Sequence, residues 1–385
     1  MHGSHMLIRS VLGVLSFLAA DASGVDGGAN RAAMPTVAAN PSPPLRSAEV
    51  HQDRRVTFRL SAPKATEVTV SGFAPTPAAM KKDAAGIWSA SVGPLEPDTY
   101  YYTFVVDGVR TIDPAPHAPV AAGAVSSTTY NTFVIRGESP AIDELLPVPH
   151  GVVRQHFYRS KSLEVVRRLV VYTPPDYDSS TKRRYPVLYL LHGARNGETF
   201  WTDFARVNLL ADNLIASGAA KPLVIVMPNG NTPGGRSESN EILLGRDLIE
   251  DVVPWVESAF RVKTGARHRG IAGFSLGGRQ AFAIALTHLG RFSHLATFSA
   301  ALGDTQPSAT FAALPAETAT VNAKLPFLWM ACGTEDGLFP ANEQASAALR
   351  ERGITHTFYK TNGGHSWKLA RRWLRELLPK MFAER

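Results

Sequence analysis

Ile271-Ala272-Gly273-Phe274-Ser275-Leu276-Gly277-Gly278 joins a short apolar run, Gly270 to Gly273, to an apolar segment with helical spacing, Gln280 to Leu286. The first reads as a buried strand and the second as a helix packed on it. Between them stands Gly-x-Ser-x-Gly, the spacing of a nucleophile elbow. Such a turn lifts the Ser275 hydroxyl above the edge of the sheet. Side chains at Gly273 and Gly277 would collide where strand and helix cross. The helix start then offers the Leu276 N–H, and its partial positive charge, to an oxygen that is gaining negative charge. The same eight residues also suit a glycine-rich turn in which Ser275 only caps a helix. The flanking chain discriminates between the two.

Outward from the elbow, Gly151 to Arg385 alternates strand-like and helix-like segments. Gln155–Ser160 and Val165–Thr173 read as two antiparallel strands that end at Pro174-Pro175-Asp176-Tyr177. Further strands are expected at Tyr185–Leu191, Leu223–Met227, Leu295–Ser299, Pro326–Cys332 and Thr355–Tyr359. Helices are expected at Leu209–Ala216, Leu244–Phe260, Glu343–Arg352 and Trp367–Phe382. Continuously apolar strands alternating with helices imply a mostly parallel sheet covered on both faces, with ligands bound beyond the strand C-termini.

Three pieces should converge there. Leu190-Leu191-His192-Gly193-Ala194 ends a strand, and the Ala194 N–H can join that of Leu276 in an oxyanion hole. His192 precedes the serine and reads as a structural loop residue. Downstream, Ala331-Cys332-Gly333-Thr334-Glu335-Asp336-Gly337 offers two carboxylates at a strand end. Asp336 is the better placed acid, with Glu335 a solvated neighbour. Thr361-Asn362-Gly363-Gly364-His365-Ser366-Trp367 sets His365 on a glycine pair before a helix, free to reach both Ser275 and Asp336. His356 reads as a strand residue, and His288 and His294 follow the elbow helix too closely to swing back. Ser275 is a weak nucleophile until His365 takes its proton. Asp336 would fix the imidazole tautomer and stabilise its cation.

Toward the N-terminus the pattern changes. Residues 48–136 carry short strands, among them Arg55–Leu60, Glu67–Gly72, Gly86–Val92, Thr99–Val106 and Asn131–Ile135, punctuated by Gly, Pro and Asp107-Gly108. This implies an all-β sandwich. Residues 137–150 read as a proline-containing linker, leaving 151–385 as the α/β domain. At the start, Met1 to Met6 reads as vector residues. Leu7 to Ala20 has one basic residue and a short apolar run, followed by a small-x-small site. Residues 1–22 therefore resemble vector residues plus a secretory signal, and 23–47 a flexible linker. Secretion or a periplasmic location is expected, with no membrane association once the signal is cleaved.

Composition narrows the function classes. The chain has 385 residues and a formal net charge of +7, but its basic residues are scattered without an aromatic-interleaved stripe, so no nucleic-acid partner is expected. Cys332 is the only cysteine, which rules out an intramolecular disulfide, and there is no Cys/His spacing for zinc. No metal or cofactor is expected.

The quoted motifs, together with Asp212-Asn213-Leu214-Ile215, Val226-Met227-Pro228-Asn229-Gly230 and Asp247-Leu248-Ile249-Glu250-Asp251, resemble carbohydrate esterase family 1 from Pro149 to Phe382. These are the feruloyl and acetylxylan esterases of the esterase-D-like group. Val56-Thr57-Phe58-Arg59-Leu60-Ser61-Ala62-Pro63, Gly86-Ile87-Trp88-Ser89 and Tyr100 to Gly108 resemble a family-48 carbohydrate-binding module. The resemblance implies an α/β-hydrolase fold preceded by an immunoglobulin-like β-sandwich. It also implies a secreted serine carboxylesterase acting on ester decorations of plant cell-wall polysaccharide, with Ser275, Asp336 and His365 catalytic. Feruloyl esters are favoured, with acetylxylan or an enterochelin-type siderophore ester as alternatives. A glycan-binding protein with an inactive hydrolase domain is the non-enzymatic alternative, and the intact Ser, Asp, His order argues against it. Trp201, Trp367 and Phe274 are the expected substrate contacts, although the loop before Trp201 lacks the family's usual acidic pair. Trp88 and Tyr100 to Tyr102 can stack on sugars or pack as core, and strand alternation favours core. The β segment either braces the catalytic domain or covers one side of its cleft.

Overall fold

Apolar runs around the elbow assemble into one eight-stranded sheet in the computed structural model, which describes residues 45–74, 76–114, 131–138, 141–233, 238–302 and 317–383. The order is Val152–Ser160, Val165–Thr173, Val224–Pro228, Val187–Leu191, Arg269–Phe274, His294–Phe298, Phe327–Gly333, Thr357–Thr361. The first three strands pair antiparallel. From Val224–Pro228 onward every neighbour is parallel. The signal-like run and all but the last three residues of the expected 23–47 linker lie outside the described residues.

The central strand Val187–Leu191 is buried at every position because helices cover both faces. One face packs Leu248, Val252, Val256, Phe282 and Ile284 against the sheet. The other packs Trp201, Leu210, Leu214, Trp373 and Leu377. Register places Leu191 beside Gly273, and Phe274 beside Phe298, so the loops after these strands emerge at one edge.

Element ends differ from expectation for local reasons. The final helix runs Trp367–Leu377 and gives way to a 3₁₀ turn at Leu378–Lys380, where Pro379 has no N–H to continue the ladder. The expected helix Leu244–Phe260 is an α-helix, Glu238–Arg246, a π-helical stretch, Asp247–Val252, and a second α-helix, Val253–Ala259. Asp247 in that stretch is fully buried and accepts a 2.7 Å hydrogen bond from the Tyr158 hydroxyl, with Arg167 Nε 3.2 Å away. The last strand is Thr357–Thr361, two residues later than read, which leaves His356 outside it.

The N-terminal strands form two antiparallel sheets, one ordered Glu49–Val50, Val56–Ser61, Ile87–Val92, Lys81–Lys82, the other built on Ala78–Ala79, Val68–Ser71, Asp98–Val106 and Val109–Thr111, with Asn131–Ile135 paired to Asp98–Val106. Val56, Phe58, Val70, Tyr102, Phe104 and Phe133 share one apolar core between them. Trp88 belongs to it too, its Nε1–H donating to the Ala62 carbonyl at 2.9 Å. Leu45 to Arg385 is one compact unit. The 141–150 segment is pinned to the helix Val207–Ala216: Asn213 Nδ2 donates to the Ile142 and Glu144 carbonyls at 2.6 and 2.8 Å, and Asp212 accepts from the Gly151 N–H at 2.9 Å.

Candidate active site

Ser275 sits at φ 58° and ψ −118° between the strand Arg269–Phe274 and the helix Leu276–Thr287. For a residue with a side chain this costs on the order of 1–3 kcal/mol. Neighbouring backbone holds it there. The Ser275 N–H donates to the Phe298 carbonyl at 2.9 Å, and the Ser275 carbonyl accepts from Ala301 and Arg279 at 3.0 and 3.1 Å. The glycines are required by close approach. A Cβ on Gly273 would lie 2.2 Å from the Gly277 carbonyl oxygen, and one on Gly277 would lie 2.4 Å from that of His192.

Ser275, His365 and Asp336 form one hydrogen-bonded line. The Ser275 hydroxyl donates to His365 Nε2 at 2.9 Å, and His365 Nδ1–H donates to Asp336 Oδ2 at 2.8 Å. Asp336 Oδ1 accepts from the Leu338 N–H at 2.9 Å. Asp336 is buried and Glu335 exposed. Burial alone pushes the Asp336 carboxyl up, but hydrogen bonds from His365, the Ser299 hydroxyl and the Leu338 N–H outweigh it and hold the group below its ordinary value. The Phe274 ring stacks on the imidazole at 4.7 Å. The other histidines stand elsewhere. His294 pairs with Gly270 at the opposite end of the strands, and His356 Nε2 lies 2.8 Å from Ser346 Oγ. Cys332 is buried, and burial pushes its thiol up to about 11, so it is not a competing nucleophile.

Beside Ser275, three segments are tied together. Leu276 opens its helix, where first-turn N–H groups have no intrahelical acceptor. Gly193 and Ala194 line the same cavity as Ser275 and His365. Below them His192 is buried, its Nδ1–H donating to the Gly193 carbonyl at 2.9 Å and its Nε2 accepting from the Gly230 N–H at 2.9 Å. Burial pushes the His192 pKa down, which keeps the neutral ring this pattern needs. Gln280, on the elbow helix, donates to the Gly230 carbonyl at 2.9 Å. Glu198 is buried in the same loop, pairs with Arg168 and accepts from Asn229 Nδ2 at 2.8 Å. Neither Glu198 nor Gln280 stands out in the sequence. The usable signal was Pro228-Asn229-Gly230 at a strand end next to the His192-Gly193 strand.

Ser275 and His365 open into a cavity of about 470 Å³. Phe274 and Trp367, both expected to meet substrate, line it, and Phe200 joins them. Trp201 does not. It is fully buried between the sheet and the last helix, 4.8 Å from Trp367 and 6.2 Å from Phe298, so the expected substrate contact is a core residue. Its helix, Phe200–Asp203, turns Phe200 to the cavity and Trp201 inward. Tyr100 and Tyr101 from the N-terminal sheets line it as well. Among the described residues no three His, Cys, Asp or Glu side chains are grouped to hold a metal ion, and no helix is long and apolar enough to cross a membrane.

Known proteins share this architecture. A xylanase/feruloyl esterase of Xylanibacter ruminicola is 28% identical over 353 residues, covering 86% of this chain and 45% of the relative. An esterase of Mycobacterium tuberculosis is 36% identical over 135 residues, covering 34% of this chain and 28% of its own. This chain thus spans less than half the length of these curated relatives. Among solved structures, a ferulic acid esterase superposes with a TM-score of 0.51 at 26% identity, covering 60% of this chain and 98% of its own. The enterobactin esterase of Shigella flexneri superposes with a TM-score of 0.60 at 17% identity, covering 85% and 93%, a likeness of fold. The sequence pattern of the family described as "Putative esterase" matches residues 160–383, and this α/β-hydrolase chain belongs to that family.

Proposed function

We propose that the chain is a serine carboxylesterase that releases feruloyl groups from ester-decorated plant cell-wall xylan. The observation that carries this reading is the aromatic lining of Phe274, Trp367 and Phe200 around the cavity into which Ser275 and His365 open. A feruloyl ring laid on such a wall buries enough apolar area to gain about 2 kcal/mol, whereas an acetyl group gains little. The named activities of the xylanase/feruloyl esterase relative and the ferulic acid esterase neighbour support the same substrate class.

The chemistry follows from the geometry. His365 Nε2 takes the Ser275 proton as the hydroxyl oxygen attacks the ester carbonyl. Asp336 stabilises the imidazolium. The Leu276 and Ala194 N–H groups receive the oxyanion. As the ester C–O bond breaks, His365 gives its proton to the departing sugar oxygen, and water, activated by the same imidazole, then releases the acid from the acyl-enzyme. Measuring acid release from methyl ferulate, feruloylated arabinoxylan fragments and acetylated xylan at matched concentration tests the substrate. Ferulate release is expected to dominate, and rapid acetate release with no ferulate release would leave an acetylxylan esterase instead.

The finer organisation is part of the same proposal. Residues 48–136 are read as an immunoglobulin-like sandwich of the family-48 type, joined by 137–150 to the esterase domain 151–385. Two antiparallel sheets around one core support this. The apolar run from Leu7 to Ala20 supports export, and N-terminal sequencing of protein recovered outside the cytoplasm, starting after Ala22, is the expected result.

A further inference from the structure

The aromatic lining does not stop at the esterase residues. Phe274, next to the nucleophile, lies 4.6 Å from Trp367, which lies 4.8 Å from Phe200. Phe200 lies 5.2 Å from Phe204, and Phe204 meets Tyr101 edge-to-face at 5.5 Å. The rings thus run in contact from beside Ser275 to a strand of the N-terminal sheets, with Phe274, Trp367 and Phe204 largely buried beneath the cavity and Phe200 and Tyr101 half-buried at it. Alternation along Asp98–Val106 explains the placement: Tyr102 points into the sandwich core, and its neighbour Tyr101 points out of it. Gly72 makes room for it, since a Cβ there would lie 2.8 Å from the Tyr101 ring.

A buried clamp fixes this wall in register. Arg371 is 5% exposed, pairs with Asp98 and donates to the Thr99 carbonyl at 3.1 Å. Lys368 Nζ is 3.5 Å from Asp98 Oδ2, and Asp143 lies 3.5 Å from Arg371 Nε. Both cations stand on the helix Trp367–Leu377, which begins just after His365. The strand that carries Tyr101 is therefore bolted to the helix that carries Trp367.

We infer that Tyr101 is a specificity-determining residue: the N-terminal sheets supply the outer part of the wall against which an aromatic acyl group lies. This rests on the feruloyl esterase reading. The acyl side is assigned because the belt of rings is unbroken from the residue preceding the nucleophile, and offset or edge-to-face ring pairing suits a flat aromatic group.

The test is the ratio of kcat/KM for methyl ferulate to that for methyl acetate. Tyr101→Ala is expected to lower the ratio about tenfold, the loss of roughly one aromatic pairing. Tyr101→Phe should hold it within about twofold of wild type. Thermal melts check folding, and if the alanine variant does not fold, Tyr101→Leu keeps bulk without the ring and should still lower the ratio. An unchanged ratio in a folded Tyr101→Ala or Tyr101→Leu protein overturns the inference while leaving the feruloyl reading intact. A loss seen only with feruloyl-arabinose esters, and not with methyl ferulate, places Tyr101 on the alcohol side and overturns it as well. A wild-type protein with no preference for ferulate over acetate overturns both.

Discussion

The two walls of the cavity are built by different physics. On one side, loops after parallel strands carry Ser275, Asp336 and His365, each held by several backbone or side-chain hydrogen bonds. On the other, an antiparallel strand presents Tyr101 from its outer face, anchored by the Asp98–Arg371 pair. The first wall stores a strained backbone that its surroundings over-determine, and that is where proton transfer can be organised. The second has no strained nucleophile and no acid–base line, so it can shape what binds but cannot react with it. Breaking the first wall should therefore abolish rate, and breaking the second should change selectivity.

Ser275→Ala is the largest expected break. Its kcat should fall by about three to six orders of magnitude, with the fold retained in a thermal melt. Residual turnover above about a tenth of wild type would remove Ser275 from the nucleophile role. Next comes the acid. Asp336→Asn should lower kcat by up to about 10⁴-fold, because an amide cannot stabilise the imidazolium and favours the wrong tautomer. Glu335→Gln, at an exposed position, should leave kcat within about twofold. The reverse ranking would move the acid to Glu335.

Much of the first wall was legible in the sequence because its geometry forces residue types. Only glycine fits at Gly273 and Gly277, and with an elbow of this kind the acid and then the histidine follow the serine at later strand ends. The second wall was not legible to the same degree. Tyr100-Tyr101-Tyr102 announces alternation, but not that the outer face of this strand meets a catalytic cavity, because that depends on Arg371 far along the chain. The tryptophans show the same limit. Trp201 and Trp367 both lie near site motifs, yet a four-residue helix turns Phe200 to the cavity and buries Trp201 completely. Phase within so short a helix cannot be read from hydrophobicity when Phe and Trp are adjacent.

Trp201→Ala should cost about 3–5 kcal/mol of stability, as a core cavity does. Trp201→Phe should lower the melting temperature while leaving the ferulate-to-acetate ratio unchanged. Trp367→Leu, at the cavity, should lower that ratio several-fold, on the scale of one lost ring contact of about 1 kcal/mol. Equal ratios in Trp367→Leu and wild type would mean that the inner wall, like Trp201, is only core.

The smallest effect expected is a pH dependence of stability carried by the catalytic wall. Burial raises the Asp336 carboxyl, but the hydrogen bonds from His365, Ser299 and Leu338 bring it below its ordinary value in the folded chain. In the unfolded chain the group titrates near about 3.9. Between the two values the unfolded chain binds more protons, so stability falls as pH falls. The contribution of Asp336 is thus fully present above the unfolded value and is lost as pH drops through the folded one. Asp336→Asn removes this term. At neutral pH the variant should be less stable, because it loses hydrogen bonds to a charged acceptor. The gap should narrow as pH falls below about pH 4. Urea unfolding of both proteins across that range measures it. A gap that widens as pH falls below about 5 would mean that burial, not hydrogen bonding, dominates at Asp336, and that its folded carboxyl titrates above the ordinary value.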